Sequence, residues 1–437
     1  MRLRSFNPPC PDPTLVTEIA AVDAWEVLDS RGNPTVRATV DTAAGSGTFT
    51  VPAGASTGSH EAVELRDGDD RFGGMGVRGA VRAVREELAP VVVGHEVTEQ
   101  ATIDDALVAA DGTDSLSALG ANAVLAVSGA VARAAAATNG EPLYDYLSPG
   151  EPGGIPRPTV NIVSGGLHAH GGVELQDFLI VPMGAETYSE AIEVVWAVRK
   201  AVESRIADAG VRPLVADEGG FSPPMEGVVD AFELISAGIA DAGFEPSVDD
   251  VAFAVDVAAT HFYDPDAERY ELETEGVSLD RDGMITQLLE WTETYPIVSL
   301  EDPLYEDDWE GYRRLAARLD DRVQLLGDDL LVTDRERIDR AIADSAATAV
   351  LVKMNQAGTL TRTTDVIERA HDAGLTAVVS ARSGETCDST MADLAVAYGA
   401  EQLKVGSLAR SERLAKYNRL FEIEAELELP LVAVANA

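Results

Sequence analysis

Residues 348–354 read TAVLVKM, and segments of the same kind recur on either side: FAVDVAA at 253–259, PIVSLED at 296–302, VQLLGDD at 323–329, TAVVSAR at 376–382 and EQLKVGS at 401–407. Each is a short apolar run that reads as a strand buried on both faces. Helical segments at 308–319, 334–343, 360–373 and 388–398 lie between most of them. Buried strands alternating with helices predict a parallel sheet covered by helices. With about 280 residues available, a TIM-type βα barrel fits better than an open doubly wound sheet. The GxGxxG fingerprint of the open sheet is absent.

Upstream of these runs, EPGGIPRP at 151–158 is rich in Pro and Gly and reads as a linker. Before it, residues 18–52 alternate as strands around an Arg31-Gly32-Asn33 turn. Helical patterns follow at 79–91, 99–110 and 122–138, the last apolar nearly all round and so expected to be buried. The reading is a flexible tail over 1–17, an α+β domain over 18–150 and a barrel domain over 155–437, an α/β protein overall.

The 437 residues carry 33 basic and 75 acidic side chains, a formal charge of −42. That excludes a general basic surface for nucleic acid or an anionic membrane. Only four basic residues are lysines: Lys200, Lys353, Lys404 and Lys416. An acidic, lysine-poor surface suits a salt-rich cytoplasm, and genomic GC bias also trades Lys for Arg. No uninterrupted run of about 18 apolar residues predicts a membrane span. The N-terminus lacks the apolar core of a secretory signal. Cys10 and Cys387 make no disulfide framework. A cytoplasmic location is the expectation.

The apolar runs end in charge. Asp256, Glu301, Asp328, Lys353, Arg382 and Lys404 occupy like places on successive strands. In a βα barrel the strand C-termini converge on one mouth. One Asp after a strand is ordinarily a helix cap; three carboxylates and three cations placed alike predict a pocket. Asp256, Glu301 and Asp328 would repel one another without a cation, and an all-oxygen set favours Mg²⁺. Asp302 and Asp329 either support those ligands or cap the following helices. Lys353 is either a general base whose neutral amine is favoured by the metal and by Lys404, or a lysine that ion-pairs a barrel carboxylate. Arg382 and Ser383 suit an anionic oxygen such as phosphate. Asp217 and Glu218 lie in a rigid DEGG turn, where a carboxyl can act as an acid. His168, His170, Gln176 and Asp177 lie in or after the Gly-rich loop SGGLHAHGG.

The chain resembles the enolase family through EVLDSRGNPTV (26–36), VPAGASTGSHEA (51–62), ELRDGD (64–69), LGANAVLAVS (119–128), DEGG (217–220), SLEDPLYEDDWEG (299–311), GDDLLVT (327–333), VLVKMNQAGTLT (350–361), SARSGET (380–386) and ARSERLAKYN (409–418). The resemblance implies a barrel whose first strands depart from regular βα order. It implies reversible dehydration of 2-phospho-D-glycerate to phosphoenolpyruvate, a small phosphorylated substrate, two Mg²⁺ per active site and a homo-oligomer, dimer or octamer. It assigns Asp256, Glu301 and Asp328 to one Mg²⁺ and Ser56 to the second. Lys353 would take the C2 proton and Glu218 would protonate the departing hydroxyl. Asp177 would help that acid, and His168 would sit in a closing loop. Gln176, Arg382, Ser383 and Lys404 would contact substrate.

The chain departs from the family pattern at Ala381, usually histidine, at Ser164 and His170, usually Asn and Gly, and at Asp177, usually Glu. Two other readings stand beside an active enolase. One is a paralogue acting on another phosphorylated or phosphonylated hydroxy acid. The other is a weakly active homologue kept as a binding protein.

Overall fold

The computed structural model describes residues 17–54, 58–169, 172–427 and 429–434. Ser56 and His170, and all but the last residue of the expected tail, lie outside them.

β1 (Ala21–Leu28), β2 (Pro34–Asp41) and β3 (Ser46–Thr50) form an antiparallel sheet in that order. The β1–β2 turn is built on Asp29, whose Oδ1 accepts the N–H groups of Arg31 and Asn33 at 2.9 and 2.8 Å. Over β2 and β3 lies the helix Ala121–Asn139, the expected buried apolar segment. It is long and apolar enough to cross a membrane by length and composition, yet 89% of its apolar window is buried inside the protein. Small residues let it sit so close. A Cβ on Gly129 would come within 2.4 Å of the Phe49 ring, and one on Gly47 within 2.1 Å of the Ala134 nitrogen. The helix expected at 79–91 spans Arg78–Ala83 and Ala89–Val92, joined through a wider turn at Val84–Leu88. Pro90 has no N–H to continue a regular ladder.

The second part opens with β4 (Arg157–Ser164), β5 (Asp177–Pro182) and β6 (Val251–Asp256). A small side sheet follows, made of β7 (Tyr263–Asp264), β8 (Arg269–Leu272) and β9 (Val277–Leu279). Then come β10 (Ile297–Glu301), β11 (Gln324–Gly327), β12 (Ala349–Val352), β13 (Thr376–Ser380) and β14 (Gln402–Gly406). Eight strands close in the order β10-β11-β12-β13-β14-β4-β5-β6. The helices Trp309–Ala316, Arg335–Asp344, Leu360–Asp372 and Thr390–Tyr398 bridge the parallel strands. Asp308, Asp334 and Thr359 cap the first three through their side-chain oxygens.

Two expectations need correction. The apolar runs predict a parallel sheet, but β5 runs antiparallel to both β4 and β6, in keeping with the irregular first strands that the family resemblance implies. The segment read as a linker to residue 158 already belongs to β4, which starts at Arg157. β4 mixes Arg, Thr, Asn and Ser with its apolar residues and so lacks the uniform run of the later strands.

The reversal of β5 matters for the mouth. A strand running backwards presents its first residues where its neighbours present their last. Asp177, which opens β5, therefore pairs in register with Asp256, which closes β6, and with Ser164, which closes β4.

Candidate active site

Three groups of side chains meet at the mouth. The first surrounds Lys404 on β14. Its ammonium donates to Asp256 Oδ2 at 2.8 Å and to Glu301 Oε1 and Oε2 at 2.7 and 2.6 Å. Gln176 Nε2 donates to the same Asp256 oxygen at 3.1 Å, while its buried Oε1 has no hydrogen-bond partner among the described residues. Burial alone would lower the lysine's pKa, but Asp256 and Glu301 hold it well above the ordinary value. Burial, then Asp256, hold Glu301 well above the carboxylate range.

The second group surrounds Lys353, which follows β12. Its ammonium is ion-paired with Asp328 Oδ2. Asp328 Oδ1 accepts from Gln356 Nε2 at 2.8 Å. Beside them Arg382 grips Glu61 with two nitrogens at 2.8 and 3.2 Å, and Asn355 Oδ1 accepts from it at 3.1 Å. Burial opposes the charge on Lys353, yet Asp328 raises its pKa above the ordinary value. That hold comes from Asp328, and with Asp328 turned to a cation instead it would lapse, as the sequence reading of a neutral amine beside a metal requires. The cation that presses on it is Arg382, while Lys404 is engaged by Asp256 and Glu301.

The third group surrounds Asp177. Its Oδ2 pairs with His168 Nδ1 at 2.7 Å, and its Oδ1 accepts from Ser164 Oγ at 2.9 Å and from Asn161. His168 Nε2 lies 3.9 Å from Glu218 Oε1, and Arg413 lies 3.8 Å from the same oxygen. Burial works against a charged His168, but Asp177 and Glu218 together push its pKa to about 9. Glu218 feels burial upward, then His168 and Arg413 more strongly downward, and ends below its ordinary value. Burial raises Asp177 despite His168. The proton of the pair rests on His168, the group that two carboxylates face.

All the predicted site residues among the described ones are at this mouth and buried or nearly so. Ser383 offers its carbonyl to Arg413 at 2.8 Å. Asp302 accepts the backbone N–H groups of Asp328 and Asp329 at 3.0 and 2.6 Å, so it supports the loop that carries Asp328. Asp217 meets the third group through its backbone N–H, which donates to the His168 carbonyl at 3.4 Å. Two of the departures from the family pattern touch each other, since Ser164 donates to Asp177. Ala381 is buried at the end of β13 and gives its N–H to the Lys404 carbonyl at 2.9 Å.

The donor set fits a hard divalent cation. Asp256, Glu301 and Asp328 close or follow the adjacent strands β6, β10 and β11, are buried, and offer only oxygen. Glu301 feels both other carboxylates, a repulsion that a cation would relieve. The three do not gather as one tight cluster, because Lys404 and Lys353 hold them. Among the described residues, the triples with ligand atoms within 4.8 Å of one another are His168–Asp177–Glu218 and Asp302–Asp328–Asp329.

Reading the sequence missed Glu61, Thr333, Gln356, Asn161 and Arg413 as individuals. The first three stand inside GSHEA, GDDLLVT and KMNQAG, where only the whole motifs were weighed. Arg413 is fully buried and donates to the carbonyls of Arg382, Val405 and Ser383.

Comparison with known proteins agrees with this geometry. The family description "Enolase, N-terminal domain" matches residues 19–147, and "Enolase, C-terminal TIM barrel domain" matches residues 153–432. The enolase of Rubrobacter xylanophilus is 49% identical over 416 residues, 94% of this chain and 96% of its own length. That of Acidothermus cellulolyticus is 49% identical over 411 residues, 94% of this chain and 95% of its own.

Proposed function

The chain belongs to the enolase family, and from that premise we propose that its barrel mouth interconverts 2-phospho-D-glycerate with phosphoenolpyruvate and water. The observation that carries the reading is the position of β12 and β5 on opposite sides of an eight-strand ring. Lys353 follows the first, and the His168–Asp177–Glu218 group surrounds the second. That supports a base and an acid acting on one substrate from opposite sides. Identity of 49% over nearly the whole chain favours this reading over a paralogue or a binding protein.

In the forward direction Lys353 takes the proton from C2. The C3–O bond breaks, and the leaving oxygen receives from Glu218 a proton that His168, 3.9 Å away, passes to that carboxylate, and departs as water. The proton is held in the His168–Asp177–Glu218 group, with Asp177 orienting the imidazole. Arg382 and Ser383 hold the phosphate, and Gln176, whose buried amide oxygen has no hydrogen-bond partner among the described residues, contacts the substrate. Lys404 faces the carboxylate on which charge develops. Asp256, Glu301 and Asp328 would hold Mg²⁺, which would supply further positive charge beside that carboxylate, chemistry already attributed in general to enolase-superfamily sites.

The reading carries with it a second Mg²⁺ at Ser56, a cytoplasmic location and a homo-oligomer, dimer or octamer. Its basis for these is the family pattern. The test is a coupled assay of the purified protein with 2-phosphoglycerate, Mg²⁺ and high KCl. Turnover that excess chelator abolishes and Mg²⁺ restores is the expected result. No turnover, or full turnover in chelator, overturns the reading.

A further inference from the structure

The segment that follows Asp328 is strained. Val332 and Thr333 are consecutive β-branched residues with φ of 44° and 50°. Side chains of that shape avoid the left-handed region, and residues kept there cost backbone energy that cooperating contacts must offset. Two further non-glycine residues of this kind, Ala258 (φ 46°) and Asp302 (φ 39°), stand two residues beyond Asp256 and one beyond Glu301. Four of the nine such residues among the described ones thus stand just after the strands that deliver carboxylates to the mouth.

What the strained turn achieves is the placement of one hydroxyl. Thr333 is buried. Its Oγ1 accepts the backbone N–H of Lys353 at 2.9 Å and lies 2.6 Å from Gln356 Oε1. Gln356 Nε2 donates to Asp328 Oδ1 at 2.8 Å, and Asp328 Oδ2 receives the Lys353 ammonium. The ring is closed: Thr333, Lys353, Asp328, Gln356 and back to Thr333. Its donor directions follow from the chemistry. An ionised carboxylate only accepts, so Gln356 must turn its NH₂ toward Asp328 and its oxygen toward Thr333. The Thr333 hydroxyl must then donate to that oxygen, leaving its lone pairs for the Lys353 N–H. Longer contacts flank the ring, from Thr333 Oγ1 to the Leu351 carbonyl and from Gln356 Nε2 to Glu61 Oε1, each at 3.3 Å, and removing a ring member takes a short buried hydrogen bond from its neighbours.

We propose that Thr333 is a positioning residue: through this ring its hydroxyl sets the Lys353 main chain and the Asp328 carboxylate relative to each other. The proposal rests on the roles given above to Lys353 as base and Asp328 as metal ligand. A backbone in the ordinary helical or extended region would aim the residue 333 side chain elsewhere, which accounts for the strain. The turn is also covered from the N-terminal part of the chain, since a Cβ on Gly58 would lie 2.9 Å from Val332 Cγ1.

The test compares Thr333→Val, which keeps the shape and loses the hydroxyl, with Thr333→Ser, which keeps the hydroxyl. Gln356→Met opens the ring from its other side without touching the strained turn. Three quantities are read: kcat and KM for 2-phosphoglycerate, solvent deuterium exchange at C2, and Mg²⁺ affinity by calorimetry without substrate. Thr333→Val and Gln356→Met should each lower kcat and exchange by about tenfold or more, as for a lost buried hydrogen bond. KM should move less than kcat, and Mg²⁺ should bind more weakly. Thr333→Ser should restore all three most of the way. Thr333→Ser as impaired as Thr333→Val would show that the methyl group matters instead, and would overturn the proposal. So would wild-type exchange and Mg²⁺ affinity in Gln356→Met. If the unmodified protein itself fails to turn over 2-phosphoglycerate, the functional reading falls. The Mg²⁺ titrations of the three variants then still decide whether the hydroxyl orders Asp328.

Discussion

Lys353 and Glu218 are separable by experiment at the level of single residues. Lys353→Ala should abolish exchange of the C2 proton with solvent, because no other amine lies in its group. Glu218→Gln should stop dehydration while some exchange continues. Wild-type exchange in Lys353→Ala would reverse the assignment. His168 offers a pH signature. Its folded pKa of about 9 stands above the ordinary imidazole value. A raised pKa stabilises the fold fully below the unfolded value, near 6.5, and that contribution is lost as pH rises through about 9. Melting temperature should therefore fall between those limits, and His168→Gln should flatten the fall. A slope that the variant leaves unchanged would assign the effect elsewhere. Residue identity was legible for every charged group at a strand end. The contact between Ser164 and Asp177 was not, because thirteen positions separate them and only the β4–β5 pairing brings them together.

At the level of the element, the C-terminal helix Ser411–Leu427 acts as a brace behind the site. Arg413 and Lys416 stand three apart and so share a helical face. Arg413 holds the carbonyls of Arg382 and Ser383, while Lys416 holds Glu385 and the Thr386 carbonyl. Together they fix the turn that presents the Arg382 guanidinium. Arg413→Met removes a fully buried charge that sits beside Glu218 and leaves three carbonyls without it. The expected loss is about 3–5 kcal/mol of stability, the usual cost of breaking a buried pair. Denaturant unfolding checks the figure, and a loss below 1 kcal/mol would contradict the brace. The later barrel strands were legible because they are uniformly apolar. β4 and β5 were not, since β4 is part polar and β5 runs against the βα rhythm that made the others readable.

At the level of the whole molecule, the charge of −42 is the dominant fact. Surface ion pairs such as Arg205–Asp241, Arg281–Asp308 and Arg369–Asp339 use the arginines available, but acids outnumber bases by more than two to one. Repulsion among the remaining carboxylates opposes compaction at low ionic strength and is screened within about 10 Å at 0.1 M salt. Melting temperature should rise on going from dilute buffer to molar KCl. An unchanged melting temperature would show that the surface charge does not limit stability. The barrel was legible at this scale from six apolar runs alternating with helices, the roughly 280 residues available to them and the absence of GxGxxG.

What the sequence determined by itself is local: the apolar runs, the caps, and the charged residue at the end of each run. Periodicity and composition act over a few neighbours, so they can be read from the chain without its fold. The tertiary structure alone decided which charges meet. Lys404 stands between Asp256 and Glu301, Lys353 pairs with Asp328, and Glu61 crosses from the N-terminal part to Arg382. It identified β5 as the reversed strand, where the family resemblance implied only irregular first strands, and with it the end of the strand at which Gln176 and Asp177 work. Electrostatic pairing depends on distance through space and on burial, and ring closure sets both between residues far apart along the chain.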